Sequence, residues 1–303
     1  MVAASGSTAA CWASVALERK TLDVILEPTT TVTIAWLAAV ALVVHADPLL
    51  ATLVALGAAG AFIAGLVGVG GAIVMIPLLL YVPPLIGTGR LTMHEVAGAT
   101  MVQVMAAGAS GVAGHMRQGA VSRVVVITLG SGAVAGSLAG GILSRWMSAE
   151  LLQGIFAAMA AAAAVIMIAF NQRPEPDSGA PVLRRRGLGF ILALGVGLLA
   201  GAVGAGGAFL LVPLMLYVLR IPARIAVGSS LAIVLAAAVS GVLGKLLTVQ
   251  IPGWPALALV AGALPGGQLG AAVSRRLRVE QLRTVLAVLI AAVAVKMWWD
   301  ILR

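Results

Sequence analysis

Charge is the scarcest property of this chain. Asp, Glu, Lys and Arg make up 10% of its 303 residues, against roughly 25% in a soluble domain. A water-soluble globule of this size could not cover its surface with so few charges, so the soluble classes are excluded. Cysteine is almost missing as well. Cys11 alone permits neither a disulfide framework nor a cysteine metal cluster, and the three histidines at 45, 94 and 115 show no metal-ligand spacing. There is no Gly-Lys-[Ser/Thr] phosphate loop, hence no ATP-driven pump within the chain. Gly68, Gly70 and Gly71 resemble part of a dinucleotide fingerprint, but no βαβ pattern surrounds them. No nucleophile–base pair is visible, so no catalytic residues, metal or cofactor are expected. The first 28 residues lack the basic, apolar, small-residue order of a secretory leader, which argues against secretion.

Apolar residues fill the chain instead. AVILMFWYC account for 61%, and the 37 glycines bring this to about 73%, where soluble domains run at roughly 45–50%. The apolar runs are continuous, about 20 residues long and rich in Ala, Leu, Val and Gly, which fits membrane helices; barrel strands would alternate. They fall at about 29–44, 49–82, 95–115, 122–143, 149–170, 188–219, 226–249, 254–274 and 279–302. The most polar interruption, 171–187, holds Pro174, Pro176, Pro181 and Arg184 to Arg186 and reads as an extramembrane linker. The expected division is an N-terminal segment at 1–28, an extra transmembrane helix at 29–48, one helical repeat at 49–170, the linker at 171–187 and a second repeat at 188–303.

The repeat is written in the residues. Gly65, Gly68, Gly70, Gly71, Pro77 and Tyr81 match Gly201, Gly204, Gly206, Gly207, Pro213 and Tyr217, with ten of 17 positions identical at an offset of 136. After Pro83 and Pro84 the offset becomes 130, and Ser110, Gly111, Gly114 and His115 meet Ser240, Gly241, Gly244 and Lys245. Gly136, Gly140, Ser144 and Arg145 meet Gly266, Gly270, Ser274 and Arg275. Composition bias could align Ala with Leu, but not Gly, Pro, Tyr, Ser and Arg in one order.

Basic residues set orientation, because cytoplasmic loops are enriched in them. If 49–82 and 188–219 each fold back at their glycines, 14 of the 19 Lys and Arg residues lie inside with the linker, and Arg90, Arg145, Lys245, Lys296 and Arg303 lie outside. Single crossings would leave no bias. Both segments are therefore read as hairpins or re-entrant loops. Each half then makes an odd number of net crossings, so the second is inverted relative to the first, the plan of many secondary transporters. The expected fold is an all-α polytopic membrane protein of two inverted-topology helical repeats with glycine-broken segments, plus an extra N-terminal helix. It would sit in the inner membrane, with its N-terminus and linker cytoplasmic. Net charge of +9 then reflects loop ends contacting membrane lipids rather than nucleic acid. The sequence leaves a homo-oligomer open.

These duplicated glycine turns followed by a proline, with the Gly-x-[Ser/Thr] steps and the Ser-Gly-Val-x-Gly-basic helix ends, resemble the TauE/SafE family, also called the toluene sulfonate uptake permease family. The resemblance covers about 49–302. It implies transport of small sulfur-containing anions such as sulfite, a sulfonate or sulfoacetate, often as export.

The candidate site follows from the breaks. Unwound backbone in a bilayer is tolerated only when buried in protein or lining a cavity. Gly68, Gly70 and Gly71, and Gly204, Gly206 and Gly207, precede short apolar stretches whose N-terminal ends would offer N–H groups and partial positive charge to an anion near the midplane. Close helix packing is the alternative use of such glycines. Thr100, Ser229 and Ser230 are candidate neutral donors to the anion, or back-bonded hydroxyls. Gln103 and Gln268 lie mid-span, where an amide either bridges helices or touches substrate. His115 and Lys245 are repeat partners at helix ends, read either as snorkelling to headgroups or as gating, anion-attracting residues on opposite faces. His94 and Glu95 read as a solvated helix start. All ten acidic residues fall in loops, the linker or near helix ends, so no buried carboxylate is available to couple protons or Na⁺. A channel, or a transporter of another small anion, is the alternative function.

Overall fold

Without water to satisfy them, backbone N–H and C=O groups must bond within their own segment, and a helix does this for every interior residue. The described parts of the chain obey that constraint. The structure is a computed structural model that describes residues 47–67, 72–115, 122–169, 186–274 and 295–299. The chain divides into Met1–Asp47 and Pro48–Arg303, and the helical bundle belongs to the second unit. The extra N-terminal helix, Gly68, Gly70 and Gly71, the linker residues 171–185 and the His115 side chain lie outside the described residues.

In chain order the bundle runs through α1 (Pro48–Val67), α2 (Ala72–Leu85), α3 (Met93–His115), α4 (Arg123–Leu143), α5 (Ala149–Ala169), α6 (Arg186–Val203), α7 (Ala208–Pro213), α8 (Ala223–Leu247) and α9 (Gly253–Ser274). A short 3₁₀ turn, Ser144–Trp146, extends α4, and a π-helical stretch, Leu214–Val218, extends α7 just past Pro213. Every described regular element is helical. Four segments among the described residues are long and apolar enough to cross a membrane: Arg123–Trp146, Ala149–Ile166, Arg186–Val203 and Gly228–Leu247. The surface is correspondingly apolar, with Ile127, Val165, Leu257 and Leu269 exposed. Trp146 and Trp254 are also exposed at helix ends, where the amphipathic indole suits a membrane interface. The expected all-α membrane architecture is what the residues build.

The helix pairing follows the internal repeat. The most extensive contacts are α1 with α9 and α4 with α6, each joining one helix from either half. Glycines allow the approach. A Cβ on Gly132 or Gly136 of α4 would lie 2.5 and 2.1 Å from the carbonyl oxygens of Phe190 and Leu194 on α6. On the other pair, a Cβ on Gly262 or Gly266 of α9 would lie 1.9 and 2.1 Å from the carbonyl oxygens of Val54 and Ala58 on α1. Gly262 and Gly266 are Gly132 and Gly136 shifted by 130, and Val54 and Ala58 are Phe190 and Leu194 shifted by 136. Equivalent glycines thus meet equivalent carbonyls. Each half lends its first helix to the other, α1 to α9 and α6 to α4, and the repeat partners α3 and α8 cross between the two pairs.

Serines stitch the centre. Ser137 Oγ on α4 donates to Ala237 O on α8 at 2.7 Å, and Ser240 Oγ on α8 is 3.0 Å from Val134 O on α4. Among the described residues the buried polar side chains are Thr100, Gln103, Ser137, Ser144, Ser229, Ser230, Ser240 and Lys245. All lie on α3, α4 with its 3₁₀ extension, or α8, so the polar seam runs through the crossing and leaves the lipid-facing flanks apolar.

Replacing Gly136 or Gly266 by Ala forces a methyl into a backbone carbonyl, which cannot rotate away. Each substitution is expected to destabilise the folded protein by about 1–3 kcal/mol. Gly154→Ala, where a Cβ meets nothing within 4 Å, should stay within about 0.5 kcal/mol of the parent. Thermal unfolding in detergent micelles measures the difference.

Candidate functional site

The break between α6 and α7 is the second of the two glycine turns found by the repeat. Gly204, Gly206 and Gly207 have φ of 80°, 64° and 76°, the left-handed region that residues with a Cβ enter only at a cost of roughly 1–2 kcal/mol each. Ala205 N donates to Ala200 O at 2.9 Å, closing α6, while Leu210 N and Leu211 N donate to Gly207 O at 3.2 and 2.8 Å, opening α7. The first N–H groups of α7 have no acceptor within their own helix and carry the positive end of its dipole. The whole turn from Gly204 to Ala208 is buried.

Its neighbours are the two crossing helices. A Cβ on Gly204 would lie 1.9 Å from Ala97 O on α3, and one on Gly206 would lie 2.5 Å from Val104 Cγ1 on α3 and 3.5 Å from Val234 Cγ1 on α8. Val104 and Val234 are repeat partners near the midpoints of their helices. Gly206 therefore sits where the two halves meet, at mid-height of both crossing helices. Only glycine fits there, on grounds of conformation and space alike.

Of the sequence-predicted donors, Thr100 shares the α3 face of Ala97 and Val104 by its i+3 and i+7 spacing. It is fully buried, and its hydroxyl donates to Val96 O at 2.7 Å, the back-bond that is one of its two readings. Gln103 is 3% exposed and its Oε1, an acceptor, has no hydrogen-bond partner among the described residues. A buried amide oxygen left unsatisfied costs about 1–3 kcal/mol, so Gln103 holds an open polar valence one residue from Val104. Ser230, buried and one turn before Val234, lies on the side of α8 that approaches the turn. Ser229 serves elsewhere: its Oγ accepts the Ser122 N–H at 3.1 Å, ahead of α4. Gln268 is exposed, outside the packed interior.

Lys245 corrects the snorkelling reading. It is fully buried, with Nζ donating to Ser144 Oγ at 3.0 Å, Ala202 O at 3.0 Å and Gln250 Oε1 at 3.4 Å. Ala202 is the penultimate residue of α6, so the lysine caps that helix just before the glycine turn. Glu95 is engaged in a capping box: Thr92 N and Thr92 Oγ1 donate to Glu95 Oε2 at 2.8 and 2.9 Å, and Glu95 N donates back to Thr92 Oγ1. His94 Nε2 lies 3.2 Å from Ser144 O and 3.1 Å from Met147 O; two carbonyl partners mean that Nε2 carries the proton. Sequence reasoning did not single out Ser144 as a lysine partner or Gln250 at all. The alignment of Ser144 with Ser274 was a visible signal for the first, whereas nothing local marked the second.

Long apolar helices, a central seam of small polar groups and a glycine break buried between repeat-related helices define a multi-pass membrane protein. Residues 53–297 match the sulfite exporter TauE/SafE family, and the chain belongs to that family of membrane transporters. It is similar to the probable membrane transporter protein YunE of Bacillus subtilis, at 24% identity over 82% of this chain and 97% of the relative. A probable membrane transporter protein of Xylella fastidiosa is 29% identical over 82% of this chain and 95% of its own length. The probable membrane transporter protein MamO of Magnetospirillum gryphiswaldense is 35% identical over 35% of this chain and 18% of its own. No solved structure matches the chain significantly.

Gln103 separates packing from function. Gln103→Met removes the unsatisfied oxygen at similar volume and is expected to raise stability by about 1 kcal/mol or more. Transport by the same variant should fall. A stable variant that transports normally would make Gln103 a residue of the packed interior only.

Proposed function

We propose that the chain is a secondary transporter that moves small sulfur-containing anions, such as sulfite, a sulfonate or sulfoacetate, outward across the inner membrane. The observation that carries this reading is the buried glycine turn seated between the repeat partners Val104 and Val234, where the first N–H groups of α7 have no acceptor within their own helix. The first N–H groups of α7 supply donors and positive potential without a full charge, which binds an anion without trapping it. The buried Gln103 amide and Ser230 hydroxyl, on the two helices that flank the turn, are assigned to the same site. Gly68, Gly70 and Gly71, which match Gly204, Gly206 and Gly207 in the internal repeat, are assigned the same role for the other half on sequence grounds. Membership of the sulfite exporter family supports the choice of a sulfur oxyanion.

Transport follows from the crossed pairing. The two halves share α3 and α8 as a common centre, and rocking of one pair against the other exposes the turn alternately to each side. Loop charge supports a cytoplasmic position for the N-terminus and the 171–187 linker. A channel would use the same turn as a filter, and flux that rises linearly with anion concentration would replace the transporter reading by that one.

Sulfite or a sulfonate at 100 times its dissociation constant should stabilise the purified protein by about 2.7 kcal/mol, read as a shift in thermal unfolding. Gly71→Val and Gly207→Val should insert into the membrane yet lose both stabilisation and transport. Normal transport by both variants would overturn the site, and stabilisation by carboxylates in place of sulfur oxyanions would overturn the substrate class.

A further inference from the structure

Burying an ammonium group is costly unless it is paired, and each of the three partners of Lys245 among the described residues is a neutral oxygen. Three acceptors match its three N–H donors, so the geometry is that of a cation held by dipoles. One of those acceptors, Gln250 Oε1, belongs to a side chain that also lines an open pocket of about 430 Å³. Ile251 and Pro252 form apolar parts of its wall. Arg145 and His94 add basic side chains to it, while its acidic member, Glu95, is engaged by the capping box. Gln250 is thus the partition between a pocket open to the outside of the bundle and a buried cation. Trp146 and Trp254 lie beside this pocket in sequence and are exposed, which puts its mouth near the membrane interface.

The partition is held under strain. Gln250 N donates to Lys245 O at 3.0 Å and Val249 N to Leu246 O at 3.1 Å, the paired bonds of a Schellman cap at the end of α8. The residue in left-handed conformation in such a cap is ordinarily glycine, but here it is Val249, with φ of 54°. A β-branched residue in that region is a genuine outlier, and strain of this kind is the sort that a functional change can release.

We propose that this pocket is an oxyanion-binding vestibule in which Gln250 swings away and the anion takes its place on Lys245 Nζ. The inference rests on reading the chain as an anion carrier and adds a second, charged station at the end of the bundle that loop charge marks as external. The anion accepts from Lys245 Nζ, with Arg145 at the pocket wall raising its local concentration. The anion offers Lys245 Nζ an ion pair where Gln250 Oε1 offers only a neutral dipole, and that gain, with release of strain at Val249, works against the Gln250 bonds to Ser144 Oγ at 2.9 Å, Gly141 O at 3.1 Å and Thr248 Oγ1 that the swing breaks. Because the same ammonium holds Ala202 O at the end of α6, occupancy of the vestibule is felt two residues from Gly204.

The test uses the full chain in nanodiscs with Cys11→Ser and Gln250→Cys, labelled by a membrane-impermeant thiol reagent in the presence of sulfite, sulfate, phosphate or acetate. Saturable protection by an oxyanion, lost when Lys245→Met is added, is the expected result. A separate binding measurement, with sulfite or sulfate followed by tryptophan fluorescence, should show Val249→Gly weakening affinity roughly five- to thirty-fold, because glycine removes about 1–2 kcal/mol of strain from the closed cap. Protection by phosphate as well as by sulfur anions would uphold the vestibule and count against sulfur selectivity there. Absence of protection by any anion, in a protein that still transports sulfite saturably, would overturn the vestibule and leave the transporter reading intact. Should Lys245→Met fail to fold, Lys245→Arg supplies the second variant: retained protection upholds a cationic site, and unchanged protection in Gln250→Cys with Arg145→Gln and Lys245→Arg together would assign it to the lysine position alone.

Discussion

The closeness of helix backbones at a few glycines is the constraint on which the rest depends. In lipid there is little hydrophobic drive to bring apolar helices together, so association relies on close packing and on small residues that permit it. Here carbonyl oxygens of α6 and α1 occupy the space that a Cβ on Gly136 or Gly266 would fill. Because the same contact is made twice, at positions related by the repeat, neither half forms its tightest interface by itself. The crossed pairing then fixes where α3 and α8 meet, and that meeting point fixes where a glycine turn can be buried.

The turn and the polar seam depend on this crossing in different ways. The turn requires surroundings that shield its backbone from lipid, and Ala97, Val104 and Val234 provide them. The seam requires partners for hydroxyl and amide groups that water would otherwise satisfy. Ser137, Ser240 and Thr100 find theirs on backbone carbonyls, whereas Gln103 Oε1 has no donor among the described residues. Lys245 is the extreme case, a fully buried amine held among the described residues by three neutral oxygens from three parts of the bundle. Structural demands explain the first group well. They do not explain why an interior would retain the other two, and residues that violate local economy are where function is expected.

Much of this was legible in the sequence, for identifiable reasons. Scarcity of charge and continuous apolar runs pointed to the class, and the shared order of Gly, Pro and Tyr revealed the repeat and the glycine turn at Gly204 to Gly207. The left-handed conformations at Gly204, Gly206 and Gly207 follow from residues that only glycine accommodates. What could not be read was tertiary. Lys245 at a helix end looks like any snorkelling lysine until Ala202 O and Ser144 Oγ are seen to enclose it. Ser229 looks equivalent to Ser230, yet it serves the start of α4. Val249 carries no sequence signal for a left-handed cap, because the cap normally selects glycine. Pairing of α1 with α9 and of α4 with α6 was likewise hidden, since the repeat specifies equivalence and not contact.

The most direct test of the central claim, that a carrier works around the glycine turn, is sulfite flux into proteoliposomes measured against concentration with sulfonate and carboxylate competitors. A carrier with one midplane site predicts flux that saturates, shows counterflow from preloaded vesicles and is inhibited by sulfonates more than by carboxylates. Flux that rises linearly with concentration and shows no counterflow would contradict it.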